Sequence, residues 1–158
     1  MPTASPPEAA AIDDVDTTYI ETLLGYNARR VSLVVIEVFL QRMAEYQLRP
    51  VDFSVASLIV HNPGITSRQL CNTLGILPPN LVGLINALEA RGLIRKRPHP
   101  RDGRASGLHA TAAGVALMKK AEAAAAVLED QVTGRLSATE RLTLLRLLKK
   151  VYSQESGR

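Results

Sequence analysis

Proline and glycine punctuate residues 62–92 closely enough to dictate the local fold there. A helix that Pro50 can open runs to about His61, and Asn62-Pro63-Gly64 ends it. Proline suits a first helical turn, where its missing N–H is harmless. Thr66 and Gln69 then form a capping box, the hydroxyl bonding forward and the amide reaching back. The short helix they open ends at Gly75, and Pro78 and Pro79 start another that runs to Arg91 and stops at Gly92. A short helix, a tight turn and a second helix is the helix-turn-helix arrangement, which also occurs in helical proteins with no nucleic-acid role.

The flanking segments extend this unit. Leu93 to Arg97 can form a strand, Pro98 to Gly103 is rich in turn formers, and Ser106 to Ala110 can return as a second strand. The three predict a β-hairpin directly after the helix pair. Upstream, Ile20, Leu23, Leu24, Val31, Val34, Val35, Val38, Phe39 and Met43 recur at helical steps from Thr17 to Tyr46, although Gly25 weakens the pattern locally. Downstream, Thr111 caps an alanine-rich helix from about Ala112 to Thr133. Ser137 and Glu140 form a second capping box. The helix they open carries Leu142, Leu145, Leu148, Val151 and Tyr152 on one side, with Leu144 and Leu147 beside them. An apolar arc that wide is either buried by its own core or shared with a second chain. The fold class is therefore mainly α with a small β-hairpin wing. Residues 1–14 read as a flexible arm, 15–48 as a first dimerisation helix, 49–110 as a winged helix-turn-helix domain, and 111–158 as C-terminal dimerisation helices.

With 158 residues, the chain suits one domain, or one domain with an arm. Aromatic residues are 4% with no Trp, which counts against carbohydrate binding and RNA stacking, both of which need exposed rings. A single cysteine excludes an intrachain disulfide framework and a multi-cysteine zinc site. No apolar stretch is long enough to span a bilayer, and no basic segment precedes an apolar run at the N-terminus. The expectation is a soluble cytoplasmic protein without membrane contact. The net charge of +4 is local: Arg91, Arg95, Lys96, Arg97, Arg101 and Arg104, against Asp102 alone, put +5 into residues 91–104 and leave −1 elsewhere. A concentrated basic patch on a nearly neutral body is the footprint of a polyanion partner, or else a solvated loop.

Five segments, in order, resemble the MarR family of transcriptional regulators. They are Leu24-Gly25-Tyr26 with Arg29-Arg30, Leu88 to Ile94, His99 to Arg104, Ala110 to Gly114, and Leu136 to Arg141. The similarity covers about residues 17–152. It implies a winged helix-turn-helix homodimer clamped by its terminal helices, which represses transcription and is released by a small effector. Leu77, Asn80, Val82, Gly83 and His99 depart from residues common in the family. The resemblance therefore carries over the fold rather than the family's base contacts.

On a helix from Pro78 to Arg91, Leu81, Leu84, Ile85 and Leu88 form a core face, and Pro79, Gly83, Asn86 and Ala90 lie opposite, with Asn80 at one flank. Such a small face can enter a major groove closely. Asn80 and Asn86 are candidates to pair with adenine edges, and Pro79 to touch a thymine methyl. Arg104 is a candidate for the minor groove, held by Asp102 through a forked ion pair. Arg95, Lys96, Arg97 and Arg101 suit phosphates, as do Ser67, Arg68 and Gln69 at a helix N-terminus. The expected DNA site is a pseudo-palindrome matched to a dimer.

No phosphate loop, metalloprotease motif or nucleophile elbow is present, so neither catalysis nor a cofactor is expected. His61, His99 and His109 lack metal-ligand spacing, and Cys71 reads as a small packed hydrophobe. An effector pocket is expected from Tyr26 and Arg30 on the first helix and Ser54, Ser57, Leu58 and His61 on the second. Polar groups on a mostly buried helix need partners, and a ligand carboxylate on Arg30 would supply one. The aromatic-acid or aromatic-thioester nature of that ligand rests on the family resemblance. The alternative has Arg30 exposed, or paired with a partner chain, and the serines bonded to their own helix. For the whole chain, the competing reading is a winged-helix adaptor that binds protein rather than DNA.

Overall fold

The computed structural model describes the backbone of residues 15–99 and 102–153, with the side chains of residues 99–105 outside the description. The arm expected at residues 1–14 and the candidate Arg101 lie outside the described residues. Two compact units meet at Leu33/Val34 in the chain.

In the first unit the helical pattern is interrupted. A 3-10 turn at Ile20–Thr22 is followed by Leu23 in an extended conformation, and α1 (Leu24–Met43) starts only then. The cause is local capture of backbone groups. The Asn27 side-chain amide donates to the Glu21 carbonyl at 2.7 Å, which a continuous helix would give to a backbone N–H. Asp16 accepts the Thr18 N–H at 2.9 Å, which fixes the entry to the turn.

In the second unit α1 ends in a 3-10 turn, Ala44–Tyr46, and reverses through Gln47 at φ 51°. Helix α2 (Pro50–His61) follows. Its first turn is closed by Asp52, which accepts the Arg49 backbone N–H at 3.1 Å and its guanidinium at 2.8 and 3.1 Å. Helix α3 (Ser67–Leu74) is capped by Thr66 and Gln69 as the sequence predicts, and stops at Gly75, φ 64°. Helix α4 (Pro78–Ala90) buries Leu81, Ile85 and Leu88.

The wing differs from the expectation. Its strands are longer, β2 spanning Ile94–His99 and β3 spanning Asp102–Ala110, so most of the expected turn is paired strand. Pro98 does not end β2, an edge strand, but the register against β3 shifts between Pro98 and His99. A two-residue strand that the pattern does not reveal, β1 (Ile65–Thr66), pairs antiparallel with β3 and makes the sheet three-stranded, in the order β1-β3-β2. Helix α5 (Ala112–Val132) and helix α6 (Ala138–Tyr152) complete the chain.

The core is drawn from nearly every element of the second unit. Met43, Val55, Ile59, Leu70, Leu81, Leu88, Leu108 and Met118 are fully buried. Phe39 and Phe53 meet edge to face at 5.6 Å. Helix α6 contributes no buried residue. Arg141 ties it to α5 through Asp130 at 2.6 Å, while Leu142, Val151 and Tyr152 stand about two-thirds exposed. Of the two fates expected for its apolar arc, burial in the chain's own core is not the one observed.

Candidate nucleic-acid interface

The seam between helix pair and wing is held by one side chain. The Thr111 hydroxyl donates to the Gly92 carbonyl at 2.6 Å and accepts the Gly114 N–H at 3.0 Å. The Thr111 backbone N–H bonds the Leu93 carbonyl at 3.0 Å. The end of α4, the start of β2 and the start of α5 are therefore fixed at one point. The fit leaves no spare room, since a Cβ on Gly114 would lie 2.0 Å from the Leu93 carbonyl oxygen.

This frame presents the candidate residues as follows. Ser67, Arg68 and Gln69 are exposed at the N-terminus of α3. The Gln69 carbonyl oxygen is committed to the cap, accepting the Thr66 N–H and hydroxyl, each at 2.9 Å. Pro79, Asn80, Gly83 and Asn86 are exposed on α4, opposite the buried Leu81, Ile85 and Leu88. Arg95 and Arg97 are exposed on β2. Strand alternation puts them on one face, and Ile94 and Lys96 on the other. Asp102 and Arg104 belong to β3, where Asp102 pairs with His99, rather than to the loop expected for them.

Two members of the basic patch are occupied within the chain. Arg91 donates from Nη1 to the Gln47 carbonyl and from Nη2 to the Tyr46 carbonyl, both at 2.8 Å. It anchors the end of α4 to the turn before α2. Lys96 reaches back to Glu89 at 3.1 Å and to the Asn86 amide oxygen at 3.4 Å. Arg95 and Arg97 are the cations of β2 left facing solvent among the described residues.

On α2 the polar stripe has its partners inside the protein. Ser54 donates to the Pro50 carbonyl of its own helix at 2.9 Å. Ser57 donates to Glu122 of α5 at 2.8 Å, and His61 Nε2 lies 2.9 Å from the same carboxylate oxygen. The partner that Ser57 and His61 were expected to find in a ligand is thus supplied by Glu122, a residue the sequence did not single out. Its signal was faint: one acid within an alanine-rich run, adjoining the buried Ala121. On α1, Tyr26 is half-buried and Arg30 exposed. No helix of the described residues is long and apolar enough to cross a membrane.

Helix pair, three-stranded sheet and seam define a winged helix-turn-helix protein. The sequence matches the family model for MarR over residues 46–105. It is 31% identical over 134 residues to the putative transcriptional regulatory protein for the hcr operon of Thauera aromatica, covering 84% of this chain and 81% of that one. The transcriptional repressor CouR bound to a 23-mer DNA duplex has a TM-score of 0.83 at 37% identity, covering 89% of this chain and 99% of that one. CouR bound to p-coumaroyl-CoA gives 0.79 at 35% identity, with the same coverage. The chain belongs to the MarR family of transcriptional regulators, and is not an enzyme.

Proposed function

We propose that this regulator is a homodimeric repressor that holds a pseudo-palindromic DNA site and leaves it when a small aromatic carboxylate, or its coenzyme A thioester, binds. The observation that carries the reading is the exposed face of α4 formed by Pro79, Asn80, Gly83 and Asn86, without cations, beside a wing whose Arg95 and Arg97 are exposed. In this reading α4 enters the major groove and Asn80 pairs with an adenine edge, while Asn86, drawn towards Lys96, plays a lesser part. Arg95, Arg97 and Arg101 contact phosphates with Ser67 and Arg68, and fix register without reading sequence. Arg104, oriented by Asp102, enters the minor groove.

The effector part is supported by the p-coumaroyl-CoA complex of CouR. Arg30 is the anchor for an anionic group, with Tyr26 one turn away on α1. Separately, the Ser57–His61–Glu122 cluster can exchange an internal hydrogen bond for a ligand hydroxyl. To release DNA, the ligand must favour the arrangement of the two lobes that does not fit the duplex, since equal affinity for both shifts nothing.

Fluorescence anisotropy with genomic fragments tests the proposal. If the dimer neutralises about 6–10 phosphates, affinity falls about 10³–10⁵-fold between 50 and 200 mM salt. Arg104→Ala weakens binding about tenfold or more at unchanged dimerisation. p-Coumaroyl-CoA and simple hydroxycinnamates are the first ligands to add. Absence of DNA binding at 50 mM salt would favour the protein adaptor instead. Release by a ligand that protects Arg30→Ala and His61→Ala from heat as well as the parent would remove both residues from the effector proposal.

A further inference from the structure

The reading end of α4 carries two large apolar side chains that no part of the fold uses. Leu77 is 69% exposed and Val82 is 56% exposed. They line an open groove of about 570 Å³ between α3 and α4, whose polar wall is Ser67, Arg68 and Asn72. No acid lines it.

Leu77 is the N-cap of α4 and makes no capping hydrogen bond through its side chain. None is needed. Pro78 and Pro79 occupy the first two helical positions and have no N–H to satisfy. The next amide, that of Asn80, is taken by the Leu77 carbonyl at 3.0 Å. The double proline thus frees the cap position of the local duty that favours serine, threonine or aspartate there. Val82, the fifth residue of α4, lies about 100° round the helix from Leu81, at the margin of the face that Leu81, Ile85 and Leu88 bury.

Helix α4 contains no Lys or Arg, so it has no partner for the paired acceptors of guanine. The one apolar group that a base pair of unmodified DNA displays in the major groove is the C5-methyl of thymine. Arg68 on the groove wall supplies a charge for the neighbouring phosphate. We propose that Leu77 and Val82 are specificity determinants that read thymine methyl groups, so that each half-site carries a thymine where α4 begins. The proposal rests on the DNA-binding function proposed above.

Selection of duplexes from a random library with the full-length protein, at low salt, supplies the probe. The selected duplex is then rebuilt with deoxyuridine in place of each thymine in turn, which deletes one methyl and keeps the pairing edge. Burial of one methyl corresponds to about a fourfold change in affinity, or about 16-fold when both half-sites are altered. The expected result is a penalty of that size at one or two positions per half-site in the parent. Leu77→Ser, at a cap position that makes no side-chain hydrogen bond, or Val82→Ala, which favours helix, then abolishes the penalty at its own position. Both variants should fold, and circular dichroism checks that they do. If every deoxyuridine duplex binds the parent as well as the thymine duplex, or if the penalty persists in both variants, the proposal is overturned. Recovery of no duplex at all would overturn the DNA-binding reading itself, a separate outcome.

Discussion

At Gly114 one hydrogen atom stands where any other residue would place carbon against the Leu93 carbonyl, 2.0 Å away. Gly114→Ala forces apart the start of α5 and the start of the wing, and should cost at least about 1–3 kcal/mol, the usual range for overpacking. Urea unfolding of the variant checks it, with an unchanged midpoint as the contrary result. Thr111 was legible in the sequence as a helix cap and Gly114 only through a resemblance, and the structure gives the spacing its reason: the hydroxyl must reach the Gly114 N–H three residues on. Asp52 offers a second test. Burial by itself pushes its carboxyl up, but the side-chain and backbone hydrogen bonds from Arg49, with the charges of Arg49 and Arg91, outweigh this and hold it below its ordinary value. A carboxylate depressed on folding stabilises the protein above its unfolded pKa, about 3.9, and that stabilisation is lost as pH falls through the folded value. Thermal stability should therefore hold from pH 7 to about 5 and fall below about 4, and Asp52→Asn should lose part of that acid sensitivity.

Among the elements, helices were legible where side chains cap them and less so where a tertiary partner decides. Thr66 with Gln69 and Ser137 with Glu140 announce α3 and α6, and each box is formed. The break at Leu23 was missed because Asn27 competes for a carbonyl six residues back, which periodicity does not register. Strand β1 was missed because two residues carry no alternation, and β2 was cut short because Pro98 reads as a breaker unless the strand is known to lie at an edge. The basic segment looked like one patch, yet Arg91 serves the α4–α2 junction through two carbonyls. This separates two outcomes for Arg91→Ala. As a junction residue it should cost about 1 kcal/mol of stability and weaken DNA binding at an unchanged salt slope. As a phosphate contact its loss would lower the slope by about 0.9 for each copy removed. Anisotropy across a salt series distinguishes them.

For the molecule as a whole, α6 is the element least accounted for by a single chain. It has no buried residue, while Leu142, Leu144, Leu145, Leu147, Leu148, Val151 and Tyr152 are all exposed. A second copy closing over this face should bury about 2,000 Å² or more in total, the range of obligate dimers. Light scattering should show a dimer at micromolar concentration, and Leu142→Glu with Val151→Glu should yield monomer that unfolds more readily. A well-folded parent monomer at that concentration would contradict the assignment. DNA affinity of the double variant should collapse as well, since one lobe holds only one half-site.

The Thr111 seam also has a mechanical consequence. Because it fastens the start of α5 to the end of α4 and the root of the wing, the 21-residue α5 becomes a stiff arm with the reading head at one end. Such an arm is about 30 Å long, so a tilt of only about 6° at its far end swings the head by about 3 Å, close to one base-pair rise. A repressor built this way needs no unfolding and no large rearrangement to let go. A slight change of angle at the far end of the arm is amplified along its length into a lost register.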